Sequence, residues 1–388
     1  MNDPFDFHPG PRLIVGPGSL GRLGEVARGL GGTRALVASD PGIVAAGHTA
    51  AGLAALEEAG LETAVFSGFG ENPSSDQIEA GRRLAREFRP DLLVGLGGGS
   101  SLDAAKGINF LHCCGGRMQD YRGRGTATAP LLPSIALPTT AGTGSETQSF
   151  ALITDSDSGM KMACGDPQAA FRVAILDVSL TLTQPPRVTA ATGVDAVAHA
   201  VESFVSTAAT PASQMFSREA WRLLAEHLPR VLANGHDTAA RSAVQLAAAW
   251  AGLAIENAML GAAHALANPL TAVHGIVHGQ AVGLMLPHVV RFNGPLCGVS
   301  YAELLSEAGL RGPGPVAATA HRTTAERLAG WLEDLLATAG LARSLAELDM
   351  AEPDIPALAT AAAEQWTAGF NPRSVTATDL AGLYEGAR

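Results

Sequence analysis

Charge is scarce in this chain, and positive charge scarcest: only 16% of residues are Asp, Glu, Lys or Arg, and acids outnumber bases 37 to 26. No basic run occurs, and at a formal net charge of -11 the chain lacks the clustered cations that a nucleic-acid backbone or an anionic membrane surface requires. Cysteine is limited to Cys113, Cys114, Cys164 and Cys297, without CxxC spacing. The adjacent pair is poorly placed to bridge itself, so reduced thiols in a cytoplasmic compartment are expected. No uninterrupted apolar stretch is long enough to cross a bilayer. The opening MNDPFDFHPGPRLIVG has no cationic stretch leading into a long apolar run, which speaks against a typical secretory signal. Internal repeats, low-complexity tracts and a collagen-like glycine period are also missing.

What is present is apolar: 47% of 388 residues, enough for more than one hydrophobic core, so two domains are expected. Short β-rich runs recur at 34–39, 62–67, 91–99, 133–140 and 173–177. Helix-like stretches separate several of them, including an Ala/Leu-rich segment over 42–60 and SSDQIEAGRRLAREF behind a Ser cap. That alternation predicts a mostly parallel sheet covered by helices. After Pro185 and Pro186 the strand-like runs largely give way to helical patterns such as AATGVDAVAHAVESFVST and ARSAVQLAAAWAGLAIENAML. The expected organisation is an α/β domain over 1–184 and an all-α domain over 185–388, with the cleft between them as the expected ligand site.

Two loops carry binding chemistry. DLLVGLGGGSSLDAAK runs from an apolar strand through Gly95, Gly97, Gly98 and Gly99 into Ser100, Ser101 and a helix. Backbone amides at such a turn can face a pyrophosphate, because glycine puts no Cβ in the way. A GxGxxG at the first strand is absent, so this is not the standard Rossmann arrangement. Asp40, just after RALVAS, suits a carboxylate that accepts from ribose hydroxyls and repels a 2′-phosphate, which favours NAD over NADP. It suits equally a turn residue before Pro41 and Gly42. PTTAGTGSET at 138–147 offers hydroxyls and amides to the same cofactor.

Asp195 and His199 lie four residues apart on one helical face, a spacing that suits two ligands of one ion. AAHALANPLTAVHGIVHGQAVGLMLPH adds His264, His274 and His278. Pro269 and Gly275 are expected to break this segment, letting His264 and His278 converge from two elements. One carboxylate with two or three imidazoles suits Fe²⁺ or Zn²⁺ with a position left open for substrate, although any single histidine here also reads as a hydrogen-bonded helix or surface residue. HCC at 112–114 has no further spaced partners and reads as structural.

Taken in order, GGGSSLDAAK, PTTAGTGSE, TAATGVDAVAHAVESFVS and HGQAVGLMLPHV resemble the iron-containing, or group III, alcohol dehydrogenases. GPGSLGRLGE, ENPSSDQIEAGRRL and the closing DIPALATAAAEQWTAGFNPRSVTATDLAGLY extend the resemblance over nearly the whole chain. It implies a dinucleotide-binding α/β domain, a helical domain of the dehydroquinate synthase-like fold and a metal ion at their interface. It implies metal ligands at Asp195, His199, His264 and His278, but not His274. Cofactor contacts are implied at Asp40, Gly97, Gly98, Gly99, Ser100, Asp103, Thr139 and Thr140, with Lys161 approaching the cofactor. The implied activity is metal-dependent interconversion of an alcohol and an aldehyde or ketone with NAD(H), in a homodimer or larger assembly. One departure stands out. Four residues after the first late histidine the family commonly carries a second, and this chain has Asn268, which hydrogen-bonds but carries no proton near neutral pH. His274, in the same segment, is the candidate substitute and joins the catalytic set. The rival readings are a dehydroquinate synthase-like lyase, a maleylacetate reductase-like enzyme and an inactive nucleotide-binding protein.

Overall fold

The structure, a computed structural model, describes residues 4–310, 323–350 and 353–388. The chain divides into two units, Pro9–Gln184 and Pro185–Arg388, the latter joined by the N-terminal segment through His8.

The first unit holds nine strands: β1 (Arg12–Val15), β2 (Arg34–Ala38), β3 (Glu62–Phe66), β4 (Leu92–Gly97), β5 (Gly123–Arg124), β6 (Ser134–Pro138), β7 (Phe150–Thr154), β8 (Lys161–Gly165) and β9 (Val173–Leu176). Between them run α1 (Leu23–Gly29), α2 (Pro41–Ala45), α3 (His48–Glu58), α4 (Ser75–Phe88) and α5 (Gly99–Cys114). Six strands form one sheet in the order β1-β9-β6-β4-β2-β3, every pairing parallel. The five β-rich runs read from sequence are all in it. All six residues of β4 are buried, as expected of a central parallel strand with helices over both faces. Successive side chains alternate between two cores: Leu36 and Leu93 pack with Ile78, Leu102 and Ile108, whereas Val37 and Val94 pack with Leu23 and Leu56. A second sheet, β5-β8-β7, contains the antiparallel β7–β8 pair and lies outside the strands expected from sequence.

Helix starts follow local chemistry. Ser74 and Gln77 form a reciprocal capping box on α4, with Ser74 N–H donating to Gln77 Oε1 at 2.9 Å. The Ala/Leu-rich stretch at 42–60 is two helices, not one, because Gly47 at φ 82° interrupts it.

The second unit is helical: α6 (Pro186–Val205), α7 (Pro211–Ala233), α8 (Thr238–Ala258), α9 (Ala262–His274), α10 (His278–Glu307), α11 (Thr324–Thr338), α12 (Ile355–Ala363) and α13 (Ala377–Gly386). α10 lies close against α6 because Gly279 and Gly283 face it: a Cβ at Gly279 would stand 2.1 Å from the Ala191 carbonyl oxygen, and one at Gly283 would stand 2.5 Å from Val194 Cγ1. Tyr384 of α13 donates to the Leu266 carbonyl at 2.6 Å and pins α9.

Two expectations need correction. Residues 4–8 belong with the helical unit rather than with 9–184: His8 N–H donates to Asn257 Oδ1 at 2.7 Å, Asn257 Nδ2 returns a bond to the His8 carbonyl at 3.1 Å, and Phe7 stacks on Phe216 at 5.8 Å. Pro269 sits inside α9 and does not break it; Gly275, left-handed at φ 66°, ends it.

Candidate metal centre and nucleotide loop

Asp195, His199 and a third residue, Glu202, share one face of α6 at the i, i+4, i+7 spacing. His264 sits in the first turn of α9, and His278 opens α10. Their rings and the carboxylate converge. His199 Nε2 and His264 Nε2 each lie 3.4 Å from Asp195 Oδ1, and His278 Nε2 lies 3.9 Å from it. The His199 and His264 rings stack at 4.9 Å, and His278 is tilted against His264 at 5.5 Å. Asp195, His199 and His264 are each at most 4% exposed, while the His278 side chain is 24% exposed and is the least enclosed member.

The donor set fits a cation. Asp195 Oδ1 and His264 Nε2 are buried and make no hydrogen bond, a costly state of about 1–3 kcal/mol each unless something else meets them. Ligand bonds of about 2.1 Å in a tetrahedron separate donors by about 3.4 Å. The two Asp195–imidazole separations of 3.4 Å match that spacing. Oxygen plus imidazole nitrogen suits Fe²⁺ or Zn²⁺.

Electrostatics follow from this crowding. Burial pushes the Asp195 carboxyl up, but His199, His264 and His278 outweigh it and hold the group well below the usual carboxylate range. Burial likewise pulls the His264 imidazole down, yet the Glu202 and Asp195 carboxylates raise it to about 9. Glu202 is a member of the site that sequence reasoning missed. Its Oε2 lies 2.5 Å from His264 Nδ1, and its Oε1 accepts from Ala263 N–H at 2.7 Å. The signal available was its place three residues beyond His199 on an otherwise apolar helix.

His274 is not among the clustered donors and stands exposed at the last position of α9. Asn268, one turn beyond His264, donates to Gln365 Oε1 at 3.0 Å.

In the other unit, β2, β4 and β6 are neighbours, and Asp40, Gly97–Gly99 and Thr139–Thr140 follow their carboxyl ends, where open parallel sheets receive ligands. No side chain caps α5, which leaves its N-terminal amides to an anion. Asp40 fills the turn role: Oδ1 caps α2 by accepting from the Gly42 and Ile43 amides, and Oδ2 accepts from Ser101 Oγ at 3.0 Å. The glycines serve packing as well as access, because a Cβ at Gly97 would fall 2.3 Å from Ser101 Oγ and one at Gly99 2.8 Å from Thr143 Cγ2. Ser100 Oγ accepts from Asn72 N–H at 3.2 Å. Thr139 Oγ1 is buried without a hydrogen-bond partner, and Thr140 is half-buried.

Asp103 is buried and accepts from Ser145 Oγ at 2.7 Å; burial raises its carboxyl above the ordinary value despite Lys106 and Lys161 nearby. Lys106 Nζ donates to the Ser145 and Phe150 carbonyls, each at 2.7 Å, bracing this loop against α5, a role not read from sequence. Lys161 Nζ donates to Asn72 Oδ1 at 3.0 Å. Cys113 and Cys114 bond locally to Asn109 and the Ala129 carbonyl.

Comparison with known proteins completes the site's context. Residues 10–178 match the family described as iron-containing alcohol dehydrogenase, and residues 189–388 match the C-terminal region of the Fe-containing alcohol dehydrogenase family. The chain is 35% identical over 382 residues to an NAD-dependent methanol dehydrogenase of Bacillus methanolicus, covering 98% of this chain and 99% of that protein. A solved 1,3-propanediol oxidoreductase superposes with a TM-score of 0.94 at 32% identity, covering all of both chains. The sulfoacetaldehyde reductase of Bifidobacterium kashiwanohense, solved with NAD⁺, superposes with a TM-score of 0.88 at 27% identity over 100% of this chain and 99% of that one. With motifs, fold and coverage in agreement, the chain belongs to the iron-containing alcohol dehydrogenase family.

Proposed function

We propose that this chain interconverts an alcohol and an aldehyde or ketone with NAD(H), using one divalent cation held by Asp195, His199, His264 and His278. Fe²⁺ is the first choice, and Zn²⁺ is the alternative these donors accept. The carrying observation is the convergence of three imidazole Nε2 atoms on Asp195 Oδ1, with that oxygen and His264 Nε2 left without hydrogen bonds. When bound, the ion supplies a Lewis acid for the substrate oxygen, and the nicotinamide supplies the hydride acceptor or donor.

The chain's own residues supply position and charge. Asp195 contributes the single negative charge of the ligand set, and His278 would complete it as its least enclosed member. The uncapped start of α5 behind Gly97, Gly98 and Gly99, with Ser100, takes the pyrophosphate. Asp40 keeps lone pairs for a ribose hydroxyl beyond the bonds from Ser101 and α2, and its charge disfavours a 2′-phosphate. Thr139 Oγ1 offers a buried hydroxyl to the same ligand, next to Thr140. Asp103 and Lys161 set the charge beside this loop. Asn268 orients by hydrogen bonding and moves no proton, which leaves proton exchange in this segment to the exposed His274. Four free cysteines support a cytoplasmic setting, and the resemblance supports a homodimer or larger homo-oligomer. Among the described residues no single helix is long and apolar enough to cross a membrane.

The test is a panel of short alcohols, diols and aldehydes with NAD and NADP, on protein purified anaerobically with Fe²⁺. NADH formation faster than NADPH formation is expected, and Asp195→Ala or His264→Ala should lose turnover while binding NADH normally. Undiminished turnover in either variant would reject the assigned centre, and a lyase would give no net NADH.

A further inference from the structure

Three histidines and one aspartate account for the donors, but not for why His264 presents Nε2 to them. The ring is 3% exposed, and its other nitrogen, Nδ1, meets Glu202 Oε2 at 2.5 Å. A carboxylate oxygen accepts, so Nδ1 carries the proton in this contact, and Nε2 is the nitrogen turned towards Asp195 and left for a cation. The second oxygen of Glu202 takes the N–H of Ala263, the residue before His264, at 2.7 Å. One side chain on α6 therefore grips both the backbone and the ring of a donor on α9.

The site is built closely around this grip. A Cβ at Gly261 would stand 2.9 Å from Glu202 Oε1 and 3.1 Å from Asn371 Oδ1, so glycine is what admits the carboxylate there. Asn371 Oδ1 in turn accepts from Ala262 N–H at 3.3 Å, and Asn371 and Asn293 exchange amide bonds at 2.8 and 3.0 Å. The first two amides of α9 are thus held by side chains from distant stretches of chain, a helix start with no cap of its own.

We propose that Glu202 is the positioning residue of the metal centre: by holding His264 Nδ1 and Ala263 N–H together, it aims Nε2 at the cation and sets its affinity. This rests on the reading that the cluster binds a divalent cation. Glu202→Gln keeps the size of the side chain but offers only one acceptor oxygen to two N–H donors. Glu202→Asp keeps the charge and withdraws it by one methylene.

Both variants and the wild type are stripped of metal and titrated with Co²⁺ against a competing chelator. The Co²⁺ ligand-field spectrum is recorded, with NADH affinity as a control on the nucleotide unit. Wild type is expected to take up one equivalent, and both variants to bind about 10- to 100-fold more weakly with an altered spectrum and unchanged NADH affinity. A merely structural glutamate would not move the spectrum. Wild-type Co²⁺ affinity and spectrum in either folded variant overturns the positioning role. Failure of wild type itself to bind stoichiometric Co²⁺ overturns the metal reading beneath it.

Discussion

Loading the metal-free protein with a divalent cation should raise the unfolding temperature of the helical unit, because the cluster is held together only in the folded chain. Asp195 and His199 come from α6, His264 from α9 and His278 from α10, so three helices must be docked before the donors lie 3.4–3.9 Å from Asp195 Oδ1. A ligand that binds only the folded state at a thousand times its dissociation constant adds about 4 kcal/mol. For a unit of about 200 residues each kcal/mol moves the midpoint by about 2–4 °C, so the shift should be about 8–16 °C. Relief of the two unbonded buried atoms, Asp195 Oδ1 and His264 Nε2, contributes within that total. Differential scanning calorimetry on chelator-treated protein, with and without Fe²⁺ or Zn²⁺, resolves the transition. In Asp195→Ala the shift should collapse to near zero. An equal shift in that variant would place the stabilising ion elsewhere and refute the reasoning.

The other expectations can be taken together. Gly279→Ala forces α10 away from the Ala191 carbonyl and carries the neighbouring His278 with it, so a loss of about 1–3 kcal/mol is expected together with weaker Co²⁺ binding; wild-type affinity would contradict it. Burial raises Glu146 to about 7, above its ordinary 4.5, so the folded chain holds a proton there that the unfolded chain releases. Stability from this group is present below pH 4.5 and falls by about 3 kcal/mol as pH rises through 7. Urea unfolding against pH should show that slope in wild type and its absence in Glu146→Gln, and identical slopes would remove the effect. His274→Ala should lower turnover and shift its pH profile; if both stay unchanged, no proton passes through that imidazole.

Local pattern carries much of this protein. The parallel strands announce themselves as apolar runs bounded by turn residues, and Asp195 with His199 is legible because four residues make about one turn of helix. What escapes depends on chain segments far apart in sequence. Glu202 lies on the same helical face as its neighbours, yet its use appears only when Ala263 and His264 arrive from 61 and 62 residues away. The docking of His8 and Phe7 on the helical unit rests on Asn257 and Phe216, which no local pattern reveals. Edge strand β1 is four residues long, and β7 and β8 flank a turn-rich TDSDSGM, so their signals are short. Pro269 has the local character of a breaker, but α9 continues through it, held by Tyr384 at Leu266 and by packing on its neighbours.

The most direct measurement is the metal dependence of NADH formation. Protein purified anaerobically, stripped by chelation and assayed with a primary alcohol and NAD⁺ should be inactive, and activity should return in proportion to Fe²⁺ up to one equivalent per chain. Full-rate NADH formation by the stripped protein, or by a chain lacking both Asp195 and His264, would contradict the assignment of this cluster as the centre of the reaction.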